Sequence, residues 1–148
     1  MNFYEINEET IALIPYNKMT KVYESDSSFL VNKPVNEIIE DSCEYFGSSY
    51  DGRKKGTTRL TGITHKVPII IEESKNIIFF PTSSPRLETC SWIALNHILS
   101  YKKNDVFSEI QFKNNKKLLF NISFGSLDNQ ILRASRLENV LNTRKKWA

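Results

Sequence analysis

The sequence predicts an α+β fold: a mainly antiparallel sheet, one short internal helix and a long C-terminal helix, in a single domain over residues 1–148. Three observations carry this expectation. Short runs rich in β-branched and aromatic residues follow one another at hairpin spacing in the first 32 residues and again between residues 65 and 124. Two stretches instead repeat apolar residues at helical spacing, 35–46 and 127–141. No internal repeat, low-complexity tract or linker divides the chain.

Taken in order, FYEI, TIALIPY, KVYE and SFLV between Phe3 and Asn32 predict two or three antiparallel strands. Pro34 then starts a helix through VNEIIEDSCEYF, where Val35, Ile38, Ile39, Ser42, Cys43 and Phe46 share a face and Gly47 is the stop. HKVPIII and NIIFFPT predict strands joined by the turn EESKN, with Pro68 at an edge or a strand start. RLETCSWIALNHILSY fits either a helix or a strand by spacing, and is assigned strand or short turn. EIQF and KLLFNISF flank KNNK as a hairpin, Asn114 and Asn115 being able to take the positive φ of a tight turn. Ser126 or Asp128 caps the last helix, whose stripe is Leu127, Ile131, Ala134, Leu137 and Leu141.

At 148 residues, with 40% hydrophobic and 25% charged side chains, the chain can bury a real core without disulfide or metal support. Its N-terminus has neither a basic nor an apolar leader pattern and no window reaches 18 apolar residues, so a soluble cytoplasmic protein without membrane contact is expected. Cys43 and Cys90 could form one disulfide in principle; reduced, buried thiols are the expectation.

The charge is polarised. Residues 1–46 hold nine acids against three bases, net −6, and residues 47–148 hold seventeen bases against eight acids, net +9. Such asymmetry suits a nucleic-acid or anionic-surface binder. The positive part begins at FGSSYDGRKKGTTRLTGITHK (46–66), read as a basic loop over 47–59. Arg53, Lys54 and Lys55 lie between Gly52 and Gly56, with Ser48, Ser49, Tyr50, Thr57 and Thr58 beside them and Arg59, His65 and Lys66 following. Glycines allow close backbone approach, hydroxyls and N–H groups bond phosphate oxygens, and the cations hold the negative field. A plain solvated turn needs fewer of these groups. If one arginine enters a groove, Arg53 should matter more than Lys54. Tyr50 either stacks on the ligand or packs beneath the loop. Arg133 and Arg136, three residues apart on the final helix, either clamp phosphates or bridge to the acidic half.

Rival chemistries fit less well. Lys54-Lys55-Gly56-Thr57 reverses the glycine and lysine of a phosphate-binding P-loop. Cys43, His65, Cys90 and His97 lack the close pairs of a zinc site, so no metal and no cofactor are expected. A small metal-dependent nuclease would need more carboxylates than Asp51, the sole acid between Phe46 and Ile71. An RNA-binding or structure-selective nucleic-acid module stays open as the runner-up.

The run YFGSSYDGRKKGT (45–57), with THK at 64–66, FFPT at 79–82, CSWI at 90–93 and Asn129-Gln130 followed by Arg133, resembles the ComK family of competence transcription factors, and YEIN followed by TIALIP fits that family's N-terminus. The resemblance covers essentially the whole chain. It implies a non-enzymatic activator of DNA-uptake genes that binds paired AT-rich boxes in double-stranded promoter DNA through the minor groove, with a dimer or higher assembly on each site. It also implies capture by an adaptor that hands the protein to a Clp protease. Family members carry the adaptor-binding segment in a tail beyond the final helix; this sequence stops at Trp147-Ala148, a departure that puts capture through that tail in doubt. Physical argument supports the minor groove: A·T tracts narrow it and deepen its negative potential, and a slim basic element enters where a helix does not.

Overall fold

A computed structural model describes residues 1–147. It contains nine strands in two antiparallel sheets, three α-helices and one 3-10 turn. β1 (Thr10–Tyr16), β2 (Met19–Glu24) and β3 (Ser28–Val31) form an N-terminal meander. α1 (Val35–Tyr45) and α2 (Tyr50–Thr61) follow, then β4 (Ile69–Glu72), β5 (Ile77–Pro81) and β6 (Trp92–Ala94). A 3-10 turn (Leu95–His97) leads to β7 (Ile98–Asn104), β8 (Phe107–Phe112) and β9 (Lys117–Phe120), and α3 (Phe124–Trp147) ends the described chain. Six strands make the larger sheet in the order β3-β2-β1-β6-β5-β4, and β7-β8-β9 make the smaller.

The larger sheet is apolar on both faces, which explains why IIIE and IIFFP read as unbroken apolar runs rather than as alternation. Ile69, Ile71, Ile77, Phe79, Trp92 and Ala94 point to the side covered by α1 and the N-terminal segment, packing with Ile38, Ile39 and Cys43. Their neighbours Ile70, Ile78, Phe80 and Ile93 point to the opposite side, where the smaller sheet supplies Ile110, Phe112 and Phe120 and α3 supplies Leu127, Ile131, Ala134, Leu137 and Leu141. Burying each of the large side chains contributes about 2 kcal/mol. Both thiols are free and buried.

The hairpin turns place φ > 0 mostly on Asn and Asp, the types that accept it, with Lys18 the exception. Asn17 and Lys18 both adopt it between β1 and β2, as do Asn76, Asp105 and Asn115 in the three later turns. The N-terminal third holds three antiparallel strands, within the expected two or three, and Phe3–Ile6 lies outside them against α1, held by the Tyr4 hydroxyl donating to Glu24 (2.5 Å) and the Ile6 N–H donating to Ser42 Oγ (2.9 Å). Two expectations change. α3 starts before Ser126, because Ser123 Oγ accepts from the Ser126 N–H at 3.2 Å and so caps the helix itself. The larger change is that the expected basic loop is mostly helix.

Candidate nucleic-acid interface

α2 forms although YDGRKKGTTRLT is a poor helix former, with two glycines and three β-branched threonines. Its ends and its buried side supply what propensity does not. Ser49 Oγ accepts from the Gly52 N–H at 2.9 Å, and a Glu40 carboxylate oxygen on α1 accepts from the Tyr50 N–H at 2.6 Å. These groups, with Asp51 in the first turn, already occupy the helix N-terminus, so an anion is met by side chains rather than by the helix end. Gly62 closes the other end at φ +80, its N–H donating to the Thr58 carbonyl. Thr57 is buried and donates to the Pro68 carbonyl at 2.7 Å, while the Thr61 hydroxyl bonds back to the Thr57 carbonyl at 2.8 Å.

The helix sorts the basic run by direction. Arg53 turns inward, its side chain only 16% exposed, and meets Glu73 of the β4–β5 turn at 3.3 Å. Lys55 lies outward and pairs with Asp51 at 3.0 Å along the helix. Lys54 faces a groove of about 430 Å³ bounded by α1, α2, the 64–66 turn and the loop after β5. That groove is lined by Asn36, Tyr50, Lys54, His65, Lys66 and Arg86 among others, and no carboxylate lines it. Tyr50 packs inward, its ring edge-on to Trp92 with centroids 6.1 Å apart, so it serves as floor; burial pushes its phenol pKa up. Ser48 belongs to the end of α1, its N–H donating to the Cys43 carbonyl at 3.0 Å. Arg59 is exposed near the far end of α2.

α3 brings Gln130 and Arg133 against this site. Arg133 Nη2 donates to the His65 carbonyl at 2.7 Å and Nη1 to Gln130 Oε1 at 2.7 Å, so its guanidinium holds protein rather than lying free. Arg136 is exposed. The structure thus brings Lys54, His65 and Lys66 together with Tyr50 as floor, buries Thr57 against the Pro68 carbonyl, and leaves Lys55, Arg59 and Arg136 outside the groove. Two members escaped sequence reasoning. Arg86 follows Ser83-Ser84-Pro85, an ordinary turn signal, and only folding places it opposite Lys54. Gln130 is one polar residue among many on a helix until its burial is known. Among the described residues no group of three His, Cys, Asp or Glu side chains could hold a metal ion, and no helix is long and apolar enough to cross a membrane.

Fold and groove define an α+β protein with a basic, carboxylate-free cleft built on α2 and the two loops beside it. The chain belongs to the ComK protein family, whose description matches residues 1–146. It is 38% identical over 146 residues to the competence transcription factor of Bacillus subtilis (strain 168), the match covering 95% of this chain and 76% of that protein. No solved structure matches it.

Proposed function

We propose that the chain acts, over residues 1–148 as one unit, as a sequence-specific DNA-binding activator of competence genes. It recognises AT-rich boxes in double-stranded promoter DNA through the minor groove, with more than one protomer on each site. It works in the cytoplasm at the nucleoid, without cofactor or catalysis. The observation that carries this reading is the carboxylate-free groove where Lys54, His65, Lys66 and Arg86 converge, in a chain 38% identical to a competence transcription factor. Lysine and arginine side chains around a cleft supply the phosphate contacts that fix register. The slim elements suited to a narrow groove are the turn at 64–66, where Lys66 stands at φ +47, and the loop bearing Arg86, rather than the helical 50–61 segment.

One observation favours a second reading, with the outer face of α2 in the major groove. Gly56 is an exposed glycine inside a helix, and a Cβ there would meet nothing within 4 Å. Nothing inside the chain requires it, and close approach of another surface would.

A competition assay separates these readings. Minor-groove ligands of the distamycin type should displace the protein, and replacing A·T by I·C pairs, which keep the minor-groove pattern, should be tolerated. Loss of binding on I·C substitution with no effect of the ligands favours α2 in the major groove. Equal competition by RNA or GC-rich duplex overturns sequence-specific DNA recognition, and strand cleavage with magnesium or manganese overturns the non-catalytic assignment. The affinity should fall steeply with salt, about four to eight phosphates being neutralised per protomer pair.

A further inference from the structure

Gln130 stands among the apolar residues of α3 with 2% of its surface exposed. A buried amide is costly unless its polar atoms are bonded. Here both faces of the amide are used. Nε2 donates to the Lys66 carbonyl at 3.0 Å and to the Pro81 carbonyl at 2.8 Å, and Oε1 accepts from Arg133 Nη1 at 2.7 Å. Arg133 Nη2 then donates to the His65 carbonyl at 2.7 Å. One amide and one guanidinium therefore grip two successive carbonyls, His65 and Lys66, and tie them to the end of β5.

The gripped turn is strained. Lys66 has φ +47, a conformation that costs a non-glycine residue about 1 kcal/mol and persists where its surroundings determine it. The direction of the backbone at 65–66 decides where the side chains of His65 and Lys66 stand in the groove. A planar guanidinium holding two acceptors at fixed angles sets that direction in a way a lysine ammonium does not.

We infer that Gln130 and Arg133 are positioning residues: they hold the 64–66 turn in the geometry on which discrimination between DNA sequences depends, and they do not themselves contact phosphate. The inference rests on the DNA-binding reading of the groove. It gives Arg133 a role other than the two that sequence alone offers, a phosphate clamp or a bridge to the acidic half.

The test compares the wild type with Arg133→Gln, Arg133→Lys and Gln130→Met, the last of similar shape without the amide. Affinities for an AT-box duplex and a GC-rich duplex of equal length are measured by fluorescence anisotropy over a salt series. Expected is a loss of about tenfold in AT-over-GC discrimination in all three variants, the scale of one misplaced groove contact, with the salt slope unchanged. A phosphate contact predicts the opposite: Arg133→Gln lowers the slope by about 0.9 and Arg133→Lys restores it, which would overturn the inference. A second arm needs no DNA. Tryptic cleavage after Lys66 should quicken at least about tenfold in Arg133→Lys, a partly exposed position whose melting curve should stay near wild type. Unchanged cleavage overturns the grip even if Gln130→Met fails to fold. A wild type without AT preference removes the DNA reading, and the cleavage arm still decides whether the turn is held.

Discussion

Arg53 reaches from α2 to Glu73 in the β4–β5 turn, guanidinium nitrogen to carboxylate oxygen at 3.3 Å. Arg53 Nε is buried without a hydrogen-bond partner, so this side chain is packed as well as paired. Of three consecutive bases, one ties the helix to the sheet, one pairs along the helix and one faces the groove.

Replacing Arg53 by alanine is therefore expected to lower stability by about 1 kcal/mol, or the melting midpoint by about 4 °C. Lys54→Ala should leave the melting curve unchanged and weaken DNA binding more than Arg53→Ala does. Melting curves with duplex titrations check both; a folded Arg53→Ala protein with the larger binding loss would place Arg53 on the DNA after all.

Ser49→Ala removes the cap of α2 and should cost about 1 kcal/mol. Since α2 carries Lys54, binding should fall in parallel with helix order, read as faster amide exchange across residues 50–61. A variant with unchanged exchange and stability would mean that the Glu40 contact alone suffices to start the helix.

Gly56→Ala meets open space and should raise stability by about 0.5–1 kcal/mol. Binding should be unaffected if the slim turns read the minor groove. A loss of affinity in this more stable variant would instead put the outer face of α2 against the duplex.

Cys43 is buried and its thiol is pushed up from 9.0 to about 12, chiefly by burial and against the opposing field of Arg53. The fold holds this proton more tightly than the unfolded chain does. Its stabilising effect is complete below the unfolded value and is lost as the pH rises toward about 12. Tyr101, whose hydroxyl donates to Asp128 at 2.6 Å, is pushed up to about 12 and acts in the same direction. Stability should thus decline between pH 9 and 12, less steeply in Cys43→Ala, and a thiol reagent should label neither cysteine of the folded protein at neutral pH. Unfolding curves over that range and a labelling time course test this.

Most strands and the outer helices were legible because their apolar patterns are strong, whereas β6 and β7 fall in RLETCSWIALNHILSY, whose spacing fits a helix as well as a strand. Ile69–Ile71 and Ile77–Phe80 bury both faces, and the five-residue stripe of α3 lies buried as its spacing predicts. α2 was not legible, since Gly52, Gly56 and the three threonines argue against a helix and burial of Thr57 and Thr61 overrides them. Punctuation did exist in Ser49, Asp51, Arg59 and Gly62, a cap, an acid in the first turn, a base in the last and a left-handed stop. For the site, Lys54, His65 and Lys66 were found from charge, whereas Arg86 joins them only through the β5–β6 connection. Arg133 was singled out as a phosphate clamp or a bridge to the acidic half, and its bonds to the His65 carbonyl and to Gln130 were not legible, because sequence gives a charge and not the direction in which it is held.

β6 pairs with β1 through Ala12–Ile93 and Leu13–Trp92, and with β5 through Phe79–Ala94, Phe80–Ile93 and Pro81–Trp92. Three residues thus splice the N-terminal meander to the β4–β5 hairpin, and they are made after both. A nascent chain can fold each hairpin early, yet it carries two open sheet edges until Trp92–Ala94 leaves the ribosome, and the face bearing Phe80 stays uncovered until the smaller sheet and α3 follow. Synthesis therefore passes through an interval in which two sheet edges are open to wrong strand pairing, and those edges close with the shortest strand among the described residues.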